Sequence, residues 1–245
     1  MQLFYTDHII EGMARLPEEE SQHIIKVLRK RNGDKIHITD GMGTLYEGTI
    51  YEAASHECMV NLKLLGVHRD DTPQLTIAIA PTKNRERFEW FIEKAVELGC
   101  TNIQPLWCEH SERTHARTDR WDKIALSAMK QSLHLYKPNI AAPIEFREFI
   151  AQAEGNDRFF GWIDETTEAS SFVSAYRAGV PAVIAIGPEG DFSEEEAALA
   201  MAAGWKAVNL GDYRLRTETA GVAAMAFAHA MHQLAAEREA SEAGS

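Results

Sequence analysis

The chain has 245 residues, of which 45% are hydrophobic, and its formal net charge at pH 7 is -12. This length allows one large domain or two modest ones, and the hydrophobic fraction is ordinary for a globular protein. The negative net charge, taken alone, argues against a polyanionic partner, so a nucleic acid would have to be bound by a local basic surface. Cys58, Cys100 and Cys108 are scattered, and their spacing predicts reduced buried thiols without a disulfide or a metal.

No apolar run in the sequence is long enough to span a membrane. The first residues, MQLFYTDHIIEGM, lack the basic start and the apolar core of a signal peptide. We therefore expect a soluble, cytoplasmic protein with no membrane partner.

Residues 1–72 predict a small β domain. A short amphipathic helix is expected over residues 21–31, with Ile24, Ile25, Val27 and Leu28 facing inward. Three strand-like runs follow at residues 35–39, 44–51 and 57–65, and a glycine-rich turn joins the first two. Short strands with glycine turns favour a small barrel.

Two clusters of basic residues stand out against the acidic background. The first comprises Lys26, Arg29, Lys30, Arg31 and Lys35, and the second comprises Lys83, Arg85 and Arg87. Such charges either form a solvated face or bind the phosphates of an RNA. The residues alone leave both interpretations open.

After a linker at residues 69–73, the pattern changes to alternating strands and helices. Strands are predicted at residues 75–80, 103–106, 159–163, 182–186 and 206–210, and helices at 88–96, 121–135, from Ser193 to Gly204, and at 217–235. Five strands with intervening helices predict an α/β domain with a mainly parallel sheet over residues 73–245. Residues 237–245 are small and polar, and we expect them to form a frayed tail.

The common nucleotide-binding and hydrolase motifs are absent from this sequence. It contains no G-x-G-x-x-G, no Walker A sequence and no G-x-S-x-G. His110 and His115 are five residues apart without a matched carboxylate, so we expect no metal site there.

Two glycine-bearing loops follow predicted strands near the C-terminus. The first is Gly187-Pro188-Glu189-Gly190, and Ser193 with Glu196 then forms a capping-box signature for a helix. The second spans residues 211–216 and precedes a long apolar helix, with Thr217 or Thr219 as its predicted N-cap. Because ligands bind beyond the carboxyl ends of strands in open α/β sheets, both loops should border one site.

Three motifs together resemble one family of RNA-modifying enzymes. I-G-P-E-G-x-F-x-E-E-E followed by L-G-x-x-x-L-R-T-E-T-A resembles the C-terminal signature of the SPOUT methyltransferases, specifically the RsmE family. His23, the run 27–29 and the pair 33–34 match its N-terminal pattern H-x-x-x-V-L-R-x-x-x-G-D. Residues 81–106 also follow the family's pattern, so the resemblance extends from His23 to Ala220.

The chain departs from this family at two places. Where many members carry E-Q-S-G-R, it has Lys130, Gln131, Ser132, Leu133 and His134. Where E-R-S is common, it has His110 between a glutamate and a serine. The replacements remove an arginine at each place.

The resemblance implies a fold, a reaction and an assembly. It implies a SPOUT-type parallel-sheet domain with a C-terminal trefoil knot at about residues 182–225, preceded by a PUA-like RNA-binding domain at 1–72. The implied reaction is methylation of N3 of a uridine in 16S ribosomal RNA with S-adenosylmethionine as cofactor, carried out by a homodimer. The alternatives are a methyltransferase of this fold acting on another RNA such as transfer RNA, and a non-catalytic RNA-binding protein.

The resemblance also implies roles for individual residues. The cofactor would be held by Thr82, Ile186, Gly187, Pro188, Glu189, Gly190, Leu210, Gly211, Leu215, Thr217, Thr219 and Ala220. RNA would be bound by His23, Lys26, Arg29, Lys30, Arg31, Lys83, Arg85, Gln131 and Ser132. Arg216 and Glu218 are the candidate catalytic residues. Glu218 would orient the base or accept a proton, although an acid at a helix N-terminus is also favoured by the helix dipole alone.

Overall fold

The computed structural model describes residues 2–112, 115–153, 157–162 and 169–243. The chain divides into two compact units, one of Met1–Asp71 with Leu126–Lys137 and the other of Thr72–Ala125 with Pro138–Ser245. The first unit is therefore built from two separate stretches of sequence. The functional domain limits proposed above, 1–72 and 73–245, stay a prediction.

The first unit is built on one mixed sheet of six strands. They are β1 (Leu3–Tyr5), β2 (Ile9–Ile10), β3 (Met13–Leu16), β4 (Lys35–Thr39), β5 (Thr44–Ala53) and β6 (Cys58–Val67), in the order β1-β4-β5-β6-β3-β2. Only β1 and β4 pair in parallel among these strands. Phe4, Leu16, Ile38 and Ile50 are among the residues of its buried core.

The predicted helix at residues 21–31 is wrong in its limits and in the inward position of Val27, whereas Ile24, Ile25 and Leu28 do pack on the core. A short helix, α1 (Glu18–Gln22), continues into a π-helical turn, His23–Val27. The wider turn rotates the following side chains: Ile24 is fully buried, but Val27 is 67% exposed. Arg29 then takes a left-handed φ of 56° and ends the turn.

A later segment of the chain completes this unit. The Leu135 carbonyl accepts hydrogen bonds from the Thr39 hydroxyl and from the Gly43 amide, both at 3.1 Å. The Lys130 amine forms an ion pair with Glu20, a carboxylate that is only 5% exposed. A buried charge is stable only when it is paired, so the unit requires the segment that supplies this lysine.

The second unit contains a parallel sheet with helices on both faces. Its strands are β7 (Leu75–Ile79), β8 (Asn102–Trp107), β9 (Asn139–Ile140), β10 (Ile144–Glu145), β11 (Asp157–Gly161), β12 (Ser170–Ser171), β13 (Ala182–Ile186) and β14 (Lys206–Asn209). The order is β10-β8-β7-β13-β11-β14-β12, with β9 also on β8. All five predicted strands are present, and the predicted Ile163 lies outside the described residues.

The helices cover the sheet in two layers. They are α2 (Arg85–Glu97), α4 (Phe146–Gln152), α5 (Phe172–Ala175), α6 (Glu194–Ala202) and α7 (Thr217–Ala243). A further helix, α3 (Thr118–Gln131), begins in the second unit and ends in the first. α4 packs with α6, and α2 packs with α7. Every residue of β13 is buried, as expected of a strand covered on both faces.

The structure confirms the predicted start of α6 and corrects the predicted end of α3. The Ser193 hydroxyl accepts from the Glu196 amide at 3.2 Å, and the Glu196 carboxylate accepts from the Ser193 amide at 3.0 Å, so the capping box is confirmed. α3 ends at Gln131 instead of residue 135, because Leu133 adopts a left-handed φ of 62°.

The last helix also differs from the prediction at both ends. α7 begins with Thr217 as its first helical residue, so neither Thr217 nor Thr219 is the N-cap. It continues to Ala243, since the predicted tail is rich in alanine and glutamate, which favour a helix. Within the described ranges, none of the helices has both the length and the hydrophobicity needed to cross a bilayer. The knot at residues 182–225 stays a prediction.

Candidate functional site

A cavity of about 600 Å³ opens at the carboxyl ends of three neighbouring strands, β11, β13 and β14. Its lining residues are Gly161, Trp162, Ile186, Gly187, Pro188, Glu189, Asp191, Val208, Asn209, Leu210, Asp212, Tyr213, Arg214, Leu215, Arg216, Thr217 and Ala220. We call it the strand-end cavity. The structure thus brings both glycine-bearing loops to one site, on the side of the sheet where ligands bind in open α/β folds.

The loop after β13 is a tight turn that leaves little room for a side chain at its start. The Asp191 amide donates to the Pro188 carbonyl at 3.0 Å. A Cβ atom on Gly187 would lie 3.1 Å from the Phe192 amide nitrogen and 3.2 Å from Asp191 Oδ1. A side chain at position 187 would therefore push this loop apart.

Glu189 connects this turn to the loop after β7. Its Oε1 accepts a hydrogen bond from the Lys83 amide at 2.9 Å. Thr82, predicted to hold the cofactor, is fully buried, and its hydroxyl donates to the Asn84 carbonyl at 2.7 Å. Thr82 is not among the residues that line the strand-end cavity, and its hydrogen bond instead shapes the approach to α2.

His110 holds the far side of the same turn. Its Nδ1 lies 3.2 Å from the Gly190 carbonyl oxygen and 3.1 Å from the Asp191 carbonyl oxygen. Because a carbonyl only accepts, Nδ1 must carry the proton and donate. A Cβ on Gly190 would meet the His110 Cβ at 3.1 Å, so the space beside this glycine is occupied by His110 and not by the cavity.

The lining carries charges of both signs. Glu189, Asp191 and Asp212 are acidic, whereas Arg214 and Arg216 are basic. Burial raises the pKa of the Asp191 carboxyl above its ordinary value, although the Phe192 amide, Arg214 and His110 act in the opposite direction. The site therefore holds a partly desolvated carboxylate beside exposed guanidinium groups.

Glu218 and Thr219 lie on the other side of the first turn of α7. Successive helical residues point about 100° apart, so these two face away from Thr217 and Ala220. They line a second cavity of about 430 Å³ with Asn84, Glu86, Arg87 and Trp90. Glu218 is 6% exposed, its Oε1 lies 3.7 Å from Arg87 Nε, and its Oε2 has no hydrogen-bond partner among the residues the structure describes.

The structure thus separates the predicted cofactor residues into two groups. Ile186, Gly187, Pro188, Glu189, Leu210, Leu215, Thr217 and Ala220 line the strand-end cavity, as does the candidate catalytic Arg216. Thr82, Gly190, Gly211 and Thr219 do not. Trp162 and Asp191 line it but were missed, since Trp162 follows a strand without a recognisable motif and Asp191 stands at an unspecified position of the motif given above.

The predicted RNA-binding residues are divided between the two units. His23, Lys26, Arg29, Lys30, Arg31, Gln131 and Ser132 belong to the first unit, and Lys83 and Arg85 belong to the second. Lys26 and Arg29 are exposed on or just after the π-helical turn. The Ser132 hydroxyl donates to the Ala128 carbonyl at 2.7 Å, so it satisfies the end of α3.

The structure gives no sign of metal ligation in the parts of the chain that it describes. No group of three or more histidine, cysteine or acidic side chains is close enough there to hold an ion. The three cysteines are free and buried, as predicted. Burial raises the pKa of Cys100 to about 12, which makes it a poor thiolate nucleophile.

Comparisons with known proteins match both the N-terminal and the C-terminal part of the chain to RNA methyltransferases. Residues 70–229 match the RNA methyltransferase domain family, and residues 16–61 match the RNA methyltransferase PUA domain family. The chain is 31% identical to the ribosomal RNA small subunit methyltransferase E of Synechocystis over 92% of its own length and 75% of the relative's.

Two solved structures extend this similarity to three dimensions. A probable rRNA-methyltransferase from Porphyromonas gingivalis is 39% identical with a TM-score of 0.88, covering 96% of this chain and 99% of that one. A ribosomal RNA small subunit methyltransferase E from Neisseria gonorrhoeae, bound to S-adenosyl methionine, is 28% identical with a TM-score of 0.80, covering 96% and 98%. The predicted α/β fold class with an N-terminal PUA domain is confirmed. This chain belongs to the ribosomal RNA small subunit methyltransferase E family and is an RNA methyltransferase.

Proposed function

We propose that this protein transfers a methyl group from S-adenosylmethionine to N3 of a uridine in the 16S RNA of the small ribosomal subunit. The observation that carries the proposal is the strand-end cavity, into which both motif loops open. The Neisseria structure, which holds S-adenosyl methionine, shares this fold over almost the whole chain, and this supports the same cofactor here.

The cavity suits such a cofactor in size and in chemistry. About 600 Å³ lies within the ordinary range for small-molecule sites, about 300–1,000 Å³. Trp162, Val208 and Leu215 supply apolar walls for an adenine ring, while the backbone at Gly187 approaches closely because it has no side chain. When bound, S-adenosylmethionine supplies an activated methyl group on a sulfonium.

Arg216 is proposed to act on the RNA. It is exposed and lies on the wall of the cavity next to Thr217. Its guanidinium is permanently charged, so it can bind a phosphate or stabilise the negative charge that develops on uracil when N3 loses its proton. The uridine must leave its base stack to reach such a site.

Glu218 would act from the other face of α7. Because it lines the second cavity, a role in proton transfer requires the uridine to approach from that side. We propose that a second subunit completes the site, so that the working form is a homodimer. The first unit, with Lys26, Arg29, Lys30 and Arg31, is proposed to bind the phosphates of 16S RNA in the cytoplasm.

Tritium transfer tests this function directly. Wild-type protein should transfer label from S-adenosylmethionine to small-subunit RNA isolated from cells that lack the enzyme, and mass mapping should place the methyl group on N3 of one uridine. The same RNA from cells that contain the enzyme should accept almost none. Wild-type protein that binds both ligands and transfers no label would refute the proposal.

A further inference from the structure

One residue of the strand-end cavity has a left-handed backbone, which aspartate tolerates at a modest cost and glycine adopts freely. Asp191 has a φ of 64°, in the left-handed region that glycine adopts without strain. It follows the Gly187–Gly190 turn directly and contributes to the cavity lining. Strained residues of this kind persist where the surrounding structure fixes them, and an observed outlier is a reason to look for function.

Several contacts fix this conformation, and none of them requires a negative charge. The Asp191 amide donates to the Pro188 carbonyl, and its own carbonyl accepts from His110 Nδ1 at 3.1 Å. Its Oδ1 accepts from the Phe192 amide at 2.8 Å. An asparagine would provide the same acceptor and tolerates the left-handed region equally well, and a glycine would remove the strain.

These contacts explain the backbone conformation of Asp191, but they do not explain why the side chain at this position carries a negative charge. The carboxylate is partly buried against the floor of the cavity, 3.2 Å from where a Cβ of Gly187 would lie. Burial raises the pKa of Asp191, while the Phe192 amide, Arg214 and His110 act in the opposite direction. A cation brought into the cavity would provide that compensation.

The proposed cofactor carries one cation without an internal counter-charge. The ammonium of its amino-acid end is balanced by the carboxylate of the same end, whereas the sulfonium has no such partner. We propose that the Asp191 carboxylate stabilises the sulfonium, so that the cavity binds S-adenosylmethionine in preference to the neutral thioether that remains after methyl transfer. This inference rests on the function proposed above, and it assigns a binding role to a residue outside the family signature.

Calorimetric titration with two probes tests the assignment. Asp191→Asn keeps the acceptor oxygen and the left-handed tolerance but removes the charge. We expect its affinity for S-adenosylmethionine to fall about tenfold, while its affinity for S-adenosylhomocysteine stays within about twofold. Asp191→Gly should show the same loss of preference with relief of strain. Glu194→Gln, an equal charge change outside the cavity, should preserve the preference of the wild type.

Each other outcome has a definite meaning. An equal loss of affinity for both probes in Asp191→Asn would overturn the sulfonium contact, since it would indicate a bond to a group that both probes share. Unchanged affinity for S-adenosylmethionine in Asp191→Asn and Asp191→Gly would also overturn it, and the proposed function would stand. Wild-type protein that binds neither probe would overturn the proposed function and this inference together.

Discussion

Gly221→Ala should destabilise the second unit, even though alanine favours a helix. Gly221 lies one turn into α7, where this helix packs on α2 and β7. A Cβ at this position would lie 2.5 Å from Phe91 Cε2 and 2.9 Å from Ile79 Cδ1. Ordinary carbon contacts are about 3.5–4.0 Å, so the phenyl ring would have to retreat by about 1 Å.

The surroundings leave little room for that movement. Phe91 and Ile79 are fully buried, and protein interiors are packed to the density of organic crystals. Overpacking of this kind costs about 1–3 kcal/mol, and the better helix propensity of alanine returns about 1 kcal/mol. A contact of 2.5 Å with an enclosed ring lies at the severe end of this range, about 3 kcal/mol, so we expect the free energy of unfolding to fall by roughly 2 kcal/mol.

Urea unfolding followed by circular dichroism measures this change. Ala236→Gly, at an exposed position of the same helix, calibrates the propensity difference without the contact. Phe91→Leu should make Gly221→Ala less harmful, because the smaller side chain vacates the space that the new methyl group needs. If Gly221→Ala is as stable as the wild type, the close contact between α7 and α2 is not what the distances indicate.

Three further predictions concern catalysis, RNA binding and acid stability. Arg216→Ala should bind S-adenosylmethionine nearly normally but lose on the order of a hundredfold in methyl transfer, and full activity in the tritium assay would remove Arg216 from the mechanism. Arg29→Ala combined with Arg31→Ala should weaken RNA binding and reduce the slope of affinity against salt by about one unit per lost phosphate contact. Affinity for the cofactor should stay unchanged. An unaltered slope would mean that these two arginines only form a solvated face and bind no phosphate. Hydrogen bonds from Arg177 at 2.8 and 2.9 Å hold the pKa of Asp157 below its ordinary value, so this pair stabilises the fold above the unfolded-state pKa and loses that effect as pH falls through the folded-state pKa. Arg177→Gln should therefore lower the free energy of unfolding at neutral pH, and the difference from wild type should shrink in urea titrations at progressively lower pH. A difference that stays constant with pH would contradict this.

Local sequence signals predicted the elements next to the site well. β13 coincides with its apolar run, and α6 begins at the capping box of Ser193 and Glu196. These features depend on neighbouring residues only. The inward position of Val27 was wrong because a π-helical turn changed the periodicity, and the apolar pattern carries no sign of that change.

The remaining parts of the site depend on contacts between distant residues. Trp162 lines the cavity because β11 lies between β13 and β14, and strand order cannot be derived from the order of strands in the sequence. Gly190 was expected to approach the cofactor, but the space beside it is filled by His110, eighty positions earlier in the chain. A glycine at position 190 permits a close approach by another group, and the structure shows that this group is His110.

The departures from the family pattern near residue 130 now have a physical account. Lys130 neutralises the buried Glu20, where the acid common in the family would place two carboxylates together. Leu133 keeps the left-handed conformation that suits the glycine found in many members. Lys130 thus has a charge partner in this chain, and Leu133 occupies a conformation that glycine would adopt without strain.

The two-part construction of the first unit bears on how the protein is made. Domains usually fold as they emerge from the ribosome, beginning at the N-terminus. Here the segment Leu126–Lys137, which bonds to Thr39 and neutralises Glu20, is synthesised only after β7 and β8 of the parallel sheet. The first unit must therefore wait, with its six strands synthesised but Glu20 still unpaired, until that segment has left the ribosomal tunnel.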